Sequence, residues 1–245
     1  MKLSENTILI TGGAKGIGLA LAQRLSARGN RVIICGRSES SLQDAQAQVP
    51  ALITRVCDIA DTESRQSMVA WLKAEHPSLN ILVNNAGVQF QRDFTNGGAI
   101  ESLEAEVAIN LIAPIYLLTE LLPSLKQQSQ ALIVNVTSGL AFSPMADVPV
   151  YCATKAALHS FTLSLRHQLR NTPVRVVELA PPIVDTGLGG GTRSEGTISR
   201  NMLSTEDFAT QTIDGLENDQ DEILIGISAN SRRMGEALFV RMNSR

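Results

Sequence analysis

The sequence predicts an α/β fold, a doubly wound parallel sheet of about seven strands with helices on both faces. Two observations support this prediction. Short runs rich in Val, Ile and Leu alternate with longer amphipathic segments along the chain. These runs are almost continuously apolar, which suits strands covered on both faces better than a half-exposed antiparallel sheet. A single domain spanning residues 1–245 accommodates this pattern, because the length alone calls for no second one.

Each element follows from its local pattern. Strands are predicted at 7–11, 31–35, 52–57, 81–84, 131–137, 174–179 and 222–226. Helices are predicted between them at 16–28, 39–48, 61–75, 102–122, 149–170, 204–217 and 231–242. The glycines and polar residues after position 186 cannot supply a packed face, so we expect a mobile substrate loop at about 187–203.

Composition and charge exclude several classes of function. With 18% charged and 44% hydrophobic residues and a net charge of -3, the chain fits neither a disordered protein nor a dedicated nucleic-acid binder. The longest apolar stretch, 107–118, contains Asn110 and Pro114 and is shorter than the roughly 20 residues of a membrane span. The N-terminus enters a strand-like run without an export signal. We therefore expect a cytoplasmic protein without a membrane or nucleic-acid partner.

The cysteines point to no metal site. Cys35, Cys57 and Cys152 are widely spaced and show no metal-ligand pattern, so we expect buried or half-buried thiols in a reducing compartment and no bound metal. Cys152 follows Tyr151 but points about 100° away around a helix. It is therefore given no catalytic role.

A tyrosine, a lysine and a serine form the candidate chemical centre. Tyr151 and Lys155 are four apart on a predicted helix, so both can reach one cleft. A neighbouring ammonium favours the phenolate and lowers the tyrosine pKa, which makes the phenol a usable general acid or base. Ser138, from a preceding loop, could hydrogen-bond the oxygen that gains or loses the proton. Alone, this spacing is more typical of an ordinary helix face than of a catalytic pair.

A glycine-rich loop follows the first predicted strand and opens the first helix. Glycines at 12, 16 and 18 allow a tight turn and close approach of the backbone to a pyrophosphate, which the helix N-terminal amides face. The alternative is a plain strand-to-helix turn. The spacing is Gly-x-x-x-Gly-x-Gly, which differs from the common Gly-x-Gly-x-x-Gly fingerprint.

With this loop, the chain resembles the short-chain dehydrogenase/reductase family, in its branch of about 250 residues and with its Rossmann-type fold. The resemblance covers nearly the whole chain. Asn84 to Gly87 match the motif after the fourth strand, and Asn110 matches the helix asparagine. Ser138, Tyr151 and Lys155 complete the catalytic tetrad in the expected order.

The resemblance implies a role for each of these residues. Tyr151 would exchange a proton with the substrate oxygen, and Lys155 would lower the pKa of that tyrosine and bind the nicotinamide ribose. Ser138 would orient the substrate carbonyl. Asn110 would hold a water that links Lys155 to solvent, although a polar residue bonding its own helix backbone is the simpler alternative.

Cofactor contacts are implied by the same matches. Relatives' positions around the phosphates, adenosine and nicotinamide correspond here to Gly12, Lys15, Gly16, Ile17, Gly18, Arg37, Asp58, Asn85, Ala86, Gly87, Tyr151, Lys155, Val184 and Thr186. Asp58 could instead be an N-cap or turn residue before the helix at 61. The relatives' Pro-Gly after the sixth strand reads Pro181-Pro182 here, so the backbone should be stiffer and the substrate pocket less predictable.

The second strand bears on the choice of cofactor. Relatives that use NAD carry an acidic residue at its end, where it binds the ribose 2′-hydroxyl. Gly36 and Arg37 stand there instead, and Lys15 adds a cation near the same place. Arginine forms bidentate bonds to phosphate, so NADP(H) is favoured over NAD(H). Both cations could also be ordinary solvated side chains.

The predicted function is interconversion of a carbonyl and a secondary alcohol on a small, fairly apolar substrate. An apolar wall is expected from Leu140, Phe142, Met145 and Val148, unless these residues fill the core or a subunit contact. A second apolar stripe, on the Tyr151 helix, is either core or part of a homodimer or homotetramer contact. It consists of Leu158, Phe161, Leu165 and Leu169.

Two other functions fit the sequence less well. A non-catalytic NADP(H)-binding regulator of the same fold would typically lose the tyrosine or lysine, and this chain keeps both. An epimerase or dehydratase acting on nucleotide sugars would generally need a longer C-terminal substrate domain. Neither the substrate nor the direction of the reaction follows from the sequence.

Overall fold

A seven-stranded, entirely parallel sheet forms the centre of the fold in the computed structural model, which describes residues 2–96, 100–188 and 202–244. The strand order is β3-β2-β1-β4-β5-β6-β7. The strands are β1 Thr7–Thr11, β2 Arg31–Gly36, β3 Ile53–Val56, β4 Leu79–Asn84, β5 Ala131–Val136, β6 Val174–Ala180 and β7 Glu222–Leu224. The predicted doubly wound sheet is confirmed.

Helices cover both faces of the sheet. The α-helices are α1 Gly16–Ala27, α2 Glu39–Gln48, α3 Thr62–Glu75, α4 Leu103–Val107, α5 Ala113–Leu125, α6 Pro149–Leu169, α7 Thr205–Glu217, α8 Ser228–Met234 and α9 Phe239–Asn243. Side-chain caps fix several starting points. The carboxylate of Asp61 accepts from Ser64 N at 2.8 Å, and the hydroxyl of Ser204 accepts from Asp207 N at 3.0 Å.

Two predicted helices differ from the observed ones. The helix predicted at 231–242 is broken, because Gly235 takes a left-handed φ of +54° and starts a short 3-10 turn between α8 and α9. The helix predicted at 102–122 is interrupted by a π turn at Ala108–Ile112 between α4 and α5, and it continues to Leu125 through Pro123. Hydrophobic periodicity shows neither irregularity.

The helical run Leu103–Leu125 is long and apolar enough, by length and composition alone, to cross a membrane. This corrects the expectation that the apolar stretch was too short. About 44% of its most apolar window is buried inside the fold. Leu117, Leu121 and Leu125 pack in the core against the sheet, as expected of a core helix.

The core has one layer on each side of the sheet. Ile8 and Ile10 of β1 join one layer, and Leu9 between them joins the other, as the alternation of side chains along a strand requires. Most of the apolar stripe of α6 belongs to the second layer. Its members Leu158, Leu165 and Leu169 are buried within the chain, and Phe161 packs partly buried against the same layer. The stripe is therefore core.

The site is positioned by the sheet topology. Strand β1 pairs with β2 on one side and with β4 on the other, so the chain crosses over the sheet between β3 and β4. In open parallel sheets a crevice forms at this switch point, beyond the carboxyl ends of the strands. The turns that follow β1, β2, β4 and β5 all open onto that edge.

Candidate active site

The loop between β1 and α1 leaves no room for side chains at its glycines. Gly12 and Gly16 have φ of +63° and +54°. An added Cβ at Gly18 would lie 2.4 Å from Gly12 O and 2.6 Å from Asn85 Nδ2. Gly13 is equally restricted, since its Cβ would lie 2.5 Å from Ile34 Cγ2, and the motif spacing gave no sign of this. The helix start is thus held against the strands, with its backbone facing the crevice.

The turn after β4 is hydrogen-bonded to the glycine loop. Thr11 Oγ1 accepts from the backbone N–H groups of Asn85 and Ala86, both at 3.0 Å. Asn85 Nδ2 donates in return to Thr11 O at 2.9 Å and to Gly12 O at 3.2 Å. Asn84 supports the sheet, because its side chain donates to Asn135 Oδ1 at 2.9 Å. The two loops that flank the crevice therefore form one rigid unit.

Tyr151 and Lys155 lie one turn apart on α6 and are both buried. Lys155 Nζ donates to Val136 O at 2.8 Å, at the end of β5, and lies 5.6 Å from the centroid of the Tyr151 ring. Burial disfavours the ammonium and lowers the pKa of Lys155 from 10.5 to about 8. At neutral pH the side chain still carries a positive charge beside the phenol.

Ser138 follows β5 and starts a short 3-10 turn at Gly139–Ala141. Its Oγ accepts from Leu140 N at 3.1 Å, which leaves the hydroxyl proton available for another acceptor. The backbone on either side is anchored, since Thr137 N donates to Leu179 O at 2.8 Å and Gly139 N donates to Pro181 O at 3.0 Å. The serine is thus fixed in the same crevice as Tyr151.

Asn110 lies in the π turn and clamps a neighbouring backbone segment. Its Oδ1 accepts from Val88 N at 2.8 Å, and its Nδ2 donates to Val88 O at 2.8 Å. A Cβ on Gly87 would lie 3.3 Å from Asn110 Oδ1 and 3.6 Å from Lys155 Nζ. Through these contacts Asn110 bonds a neighbouring segment and not the backbone of its own helix. It also lies close to Lys155.

One cleft of about 1050 Å³ brings most of the sequence-predicted residues together. Among the residues predicted to contact cofactor or substrate, its lining includes Gly12, Lys15, Gly16, Ile17, Arg37, Asp58, Asn85, Ala86, Gly87, Ser138, Tyr151, Lys155, Val184 and Thr186. Gly18 and Asn110 do not line it. They lie behind the wall and hold it in place through the contacts described above.

The end of the cleft near β2 carries two cations. Lys15 and Arg37 are exposed and line the cleft, as does Gly36, which carries no carboxylate. Asp58 also lines this end, and its carboxylate accepts from Ala60 N at 3.0 Å in a tight turn, while Asp61 caps α3. Asp58 is thus a turn residue within the cleft.

The segment after β6 also lines the cleft. Val184 is buried and forms a parallel bridge to Leu203, and Thr186 lies against Gly16. Pro182 lines the cleft, and the carbonyl of the preceding Pro181 accepts from Gly139 N. Most of the predicted loop at 187–203, residues 189–201, lies outside the described part of the chain.

The expected apolar wall is only partly correct. Leu140, Met145 and Val148 line the cleft, but Phe142 does not. Its ring packs edge-on against His159, with centroids 4.9 Å apart, and faces a second cavity of about 890 Å³. A side chain in a 3-10 turn can point to either side, and only the contact with α6 decides which.

Sequence reasoning missed several lining residues. Two glutamines after β4, Gln89 and Gln91, add polar groups to the lining of the cleft. The C-terminal segment contributes Ile227, Ser228, Ser231 and Met242. No motif marks these positions, because they reach the cleft through contacts between distant parts of the chain.

Behind Ser138, three potential metal ligands cluster. His159, Glu178 and Glu222 bring ligand atoms within 4.8 Å of one another. Glu178 is fully buried and already accepts from Thr137 Oγ1, while its other oxygen lies 2.7 Å from His159 Nδ1. Glu222 accepts from Arg232 Nε at 2.8 Å. Because protein donors occupy these carboxylates, we assign the cluster a structural role.

The three cysteines are buried free thiols, as expected. Burial raises the pKa of the Cys152 thiol, so it is a poor nucleophile at neutral pH. Met145 N donates to Cys152 Sγ at 3.4 Å, which attaches the substrate-side wall to α6.

The parallel sheet, the glycine loop and the cleft at the switch point define a nucleotide-binding α/β enzyme. More narrowly, the chain belongs to the short-chain dehydrogenase family, whose family model matches residues 6–196. It is 47% identical over its whole length to an uncharacterized oxidoreductase, DltE, of Bacillus subtilis, covering 99% of that protein. An uncharacterized oxidoreductase of Staphylococcus saprophyticus is 31% identical over 89% of the chain and 93% of its own length. The protein is therefore an oxidoreductase.

Solved structures agree in fold. A short chain dehydrogenase from Burkholderia cenocepacia in complex with NADP superposes with a TM-score of 0.83 at 23% identity, covering 96% of this chain and 94% of that one. A short chain dehydrogenase/reductase from Burkholderia phymatum in complex with NAD gives 0.83 at 22%, covering 95% and 93%. A metagenomic short-chain oxidoreductase in complex with NADP gives 0.76 at 27%, covering 91% and 97%. Neighbours of this fold thus hold either cofactor.

Proposed function

We propose that the protein interconverts a carbonyl and a secondary alcohol on a small substrate, with NADP(H) as hydride carrier and Tyr151 as general acid or base. The observation that carries this proposal is the convergence of Ser138, Tyr151 and Lys155 in one cleft with the glycine loop. A proton-transfer centre and a dinucleotide cradle in one crevice suit coupled hydride and proton transfer.

The residues fit a nicotinamide dinucleotide. The cleft is large enough, at about 1050 Å³, and the glycine loop has no side chains where the backbone must approach a phosphate. Gly12, Gly16 and the first amides of α1 would hold the pyrophosphate, and Val184 and Thr186 would contact the nicotinamide end. When bound, the cofactor supplies or accepts the hydride.

The proton is handled by side chains of the chain. Tyr151 would donate its phenolic proton to the substrate oxygen in the reducing direction and take it back in the oxidising one. Lys155, fixed by Val136 O, would stabilise the phenolate by its charge. Ser138 would donate its free hydroxyl proton to the substrate oxygen. Asn110, beside Lys155, would order a water that returns the proton from solvent.

A preference for NADP(H) over NAD(H) is supported by charge at the β2 end of the cleft. Lys15 and Arg37 line this end, and Gly36 offers no carboxylate that would repel a 2′-phosphate. Asp58 lies nearby but its carboxylate is engaged with Ala60 N. Two cations at this end of the cleft favour a cofactor that carries a 2′-phosphate.

The substrate is proposed to be small and mainly apolar. Leu140, Met145 and Val148 form the wall on the substrate side, and Ile227 and Met242 extend it.

We further propose a cytoplasmic homodimer or homotetramer, in keeping with the sequence expectations, and a substrate loop at about 187–203. Leu203, at the end of that loop, donates through its N to Ile183 O at 3.1 Å, in the segment that precedes the loop.

The test is a panel of ketones and secondary alcohols, followed by the absorbance of NADPH. We expect turnover of at least one apolar ketone and a loss of at least about 100-fold in kcat for Tyr151→Phe. Tyr116→Phe is the matched control, because Tyr116 is 53% exposed on α5 and does not line the cleft. It should behave as wild type.

Two outcomes would contradict the proposal. Undiminished turnover by Tyr151→Phe would refute the role of the tyrosine. Tight NADPH binding without turnover of any compound would instead favour the non-catalytic regulator.

A further inference from the structure

A thin partition separates the cleft that contains Tyr151 from the second cavity. Leu140, Met145 and Asp147 line both the cleft of about 1050 Å³ and the cavity of about 890 Å³. Helix α6 also lies between the two spaces, because Tyr151 lines the cleft and Cys152 lines the second cavity. A single layer of side chains therefore divides the site of the proposed chemistry from a large neighbouring space.

Met145 is the flexible apolar member of this partition. Its side chain is partly buried and packs against an apolar cluster that includes Tyr151 and Cys152. Methionine is unbranched and adapts to irregular gaps, so it can fill the space between two cavities. Leu140 is also shared, but its N–H donates to Ser138 Oγ at 3.1 Å. A change at Leu140 would therefore disturb the proposed catalytic serine as well.

The backbone at Met145 is held independently of its side chain. Met145 N donates to Cys152 Sγ at 3.4 Å, and this thiol donates to Met145 O at 3.7 Å. Val148 N donates to the same carbonyl at 3.3 Å. The next residue is also anchored, since Ala146 N donates to Asn243 Oδ1 at 2.6 Å. Shortening the Met145 side chain should therefore open the partition without moving the segment that carries it.

The second cavity has an aromatic lining. Phe94, Phe142 and Phe239 line it from three separate parts of the chain. Phe94 and Phe239 are 63% and 42% exposed, so their rings are available to a ligand. Phenylalanine rings bind other rings in offset-stacked or edge-to-face arrangements. An aromatic group is therefore the ligand group that best fits this lining.

The charges around the second cavity disfavour an anionic ligand. Arg92 lines the cavity, but its guanidinium is engaged with the buried carboxylate of Glu106 at 2.8 Å. The other charged residues of the lining, within the described ranges of the chain, are Asp93, Asp147 and Glu236, which are all acidic. A carboxylate on the ligand would meet like charges there. The aromatic group should accordingly be uncharged.

We propose that Met145 is a specificity-determining residue that confines the substrate to the cleft, and that the second cavity is an extension of the substrate site that Met145 closes. This inference rests on the proposed function and narrows its substrate class to carbonyl compounds short enough to end before Met145. With this side chain shortened, longer ketones that end in an uncharged aromatic ring reach the phenylalanine rings of the second cavity.

The experiment compares wild type with Met145→Ala on methyl ketones that end in a phenyl ring, with a linker that grows by one CH₂ group at a time. The measured quantity is the kcat/KM of each long ketone divided by that of butanone in the same protein. We expect this ratio to rise by about tenfold or more in Met145→Ala for linkers that cross the partition. One methylene group accommodated in an apolar pocket is already worth about tenfold.

Two further variants separate the second cavity from a cleft that is merely larger. Met242→Ala is the matched control, because Met242 lines the cleft but not the second cavity. It removes the same volume without opening the partition, so its ratio should rise by less than about threefold. Ala153→Phe, added to Met145→Ala, should abolish the gain. Ala153 is exposed on α6 and lines the second cavity but not the cleft, so the added ring would occupy that cavity.

Either of two results would overturn the inference. If Met145→Ala gains no more than Met242→Ala, Met145 does not limit the length of the substrate. If the gain survives the addition of Ala153→Phe, the second cavity does not extend the substrate site. Met145→Ala leaves a cavity and can lose stability. Met145→Val removes less volume and should show a smaller rise of the ratio in the same direction, so it carries the comparison if the alanine variant does not fold.

Binding separates the failure of this inference from the failure of the proposed function. The long ketones should raise the Tm of the NADP⁺ complex of Met145→Ala by more than they raise that of wild type. An equal rise in both proteins would refute the role of Met145. If no variant turns over any ketone, the proposed function is wrong, while the comparison of Tm still decides whether Met145 closes the second cavity.

Discussion

Arg92 Nη2 lies 2.8 Å from Glu106 Oε2, and the two side chains are only 2% and 0% exposed. The pair connects three segments around the substrate end of the cleft. Arg92 Nη1 donates to Glu101 O, and Arg92 N donates to Asp147 O at 2.9 Å. The segment that presents Gln89 and Gln91 to the cleft is therefore anchored by a buried ion pair.

Removing one partner of this pair should be strongly destabilising. We expect Glu106→Gln to lower the free energy of unfolding by about 3–5 kcal/mol, because it leaves a buried guanidinium without its counter-ion. Glu206→Gln is the control, since Arg24 and Glu206 are also 2.8 Å apart but 37% and 78% exposed. Its effect should stay below about 1 kcal/mol. Urea unfolding measures the free energy of unfolding of both variants. Equal losses in the two variants would contradict the idea that burial makes the Arg92–Glu106 pair the more important one.

The buried charge of Lys155 should make stability depend on pH. Its pKa of about 8 lies below the 10.5 of an exposed lysine, so between these values the unfolded chain binds more protons than the folded one. The free energy of unfolding therefore rises with pH in that window. Below about pH 8 the buried ammonium is fully charged, and its burial costs of the order of 3 kcal/mol.

Lys155→Met should consequently gain stability relative to wild type at pH 7, and this gain should shrink as the pH is raised towards 10. The loss of the bond to Val136 O adds an offset that does not vary with pH, so the slope is the diagnostic quantity. Urea unfolding of the cofactor-free protein at several pH values measures it. Lys126→Met, at an exposed lysine, should show no such slope. A constant difference for Lys155→Met would refute the prediction.

Gly18 should tolerate no side chain. The contacts of an added Cβ with Gly12 O at 2.4 Å and Gly13 Cα at 2.9 Å involve backbone, which can yield only if the loop moves. We expect Gly18→Ala to lower the free energy of unfolding by about 2 kcal/mol or more and to weaken NADPH binding at least tenfold. Gly36→Ala is a suitable control for stability, because nothing lies within 4 Å of its Cβ position. If Gly18→Ala were as stable as wild type, the close backbone contacts described for its Cβ would be wrong.

The two cations at the β2 end should decide the choice of cofactor. Arg37→Gln and Lys15→Gln should each reduce kcat/KM with NADPH by about tenfold or more and leave kcat/KM with NADH nearly unchanged. Each variant loses only its contact with the 2′-phosphate, which NADH lacks. Arg28→Gln, at the far end of α1, should change neither value. Wild-type protein that used NADH at least as efficiently as NADPH would overturn the preference itself.

Some elements could be read from local sequence, and others could not. The strand at 7–11 and the helix at 39–48 were predicted with their observed boundaries, because apolar periodicity is a local signal. The break at Gly235 and the π turn before Ala113 were missed, because a periodic pattern tolerates one glycine or one extra residue per turn. Phe142 was misplaced because its direction depends on His159, which lies on another element.

The sequence by itself determined the parallel sheet and the glycine loop, because both depend on residue types at short spacings, and it supplied the proposed catalytic side chains through motifs that match a known family. Only the tertiary structure decided how these side chains are held. Lys155 is buried and bonded to Val136 O, Asn110 clamps Val88, and Ser228 reaches Gly139 from a segment almost ninety residues later in the chain. Such contacts arise when distant segments pack against one sheet edge, and no local periodicity encodes which side chains meet there.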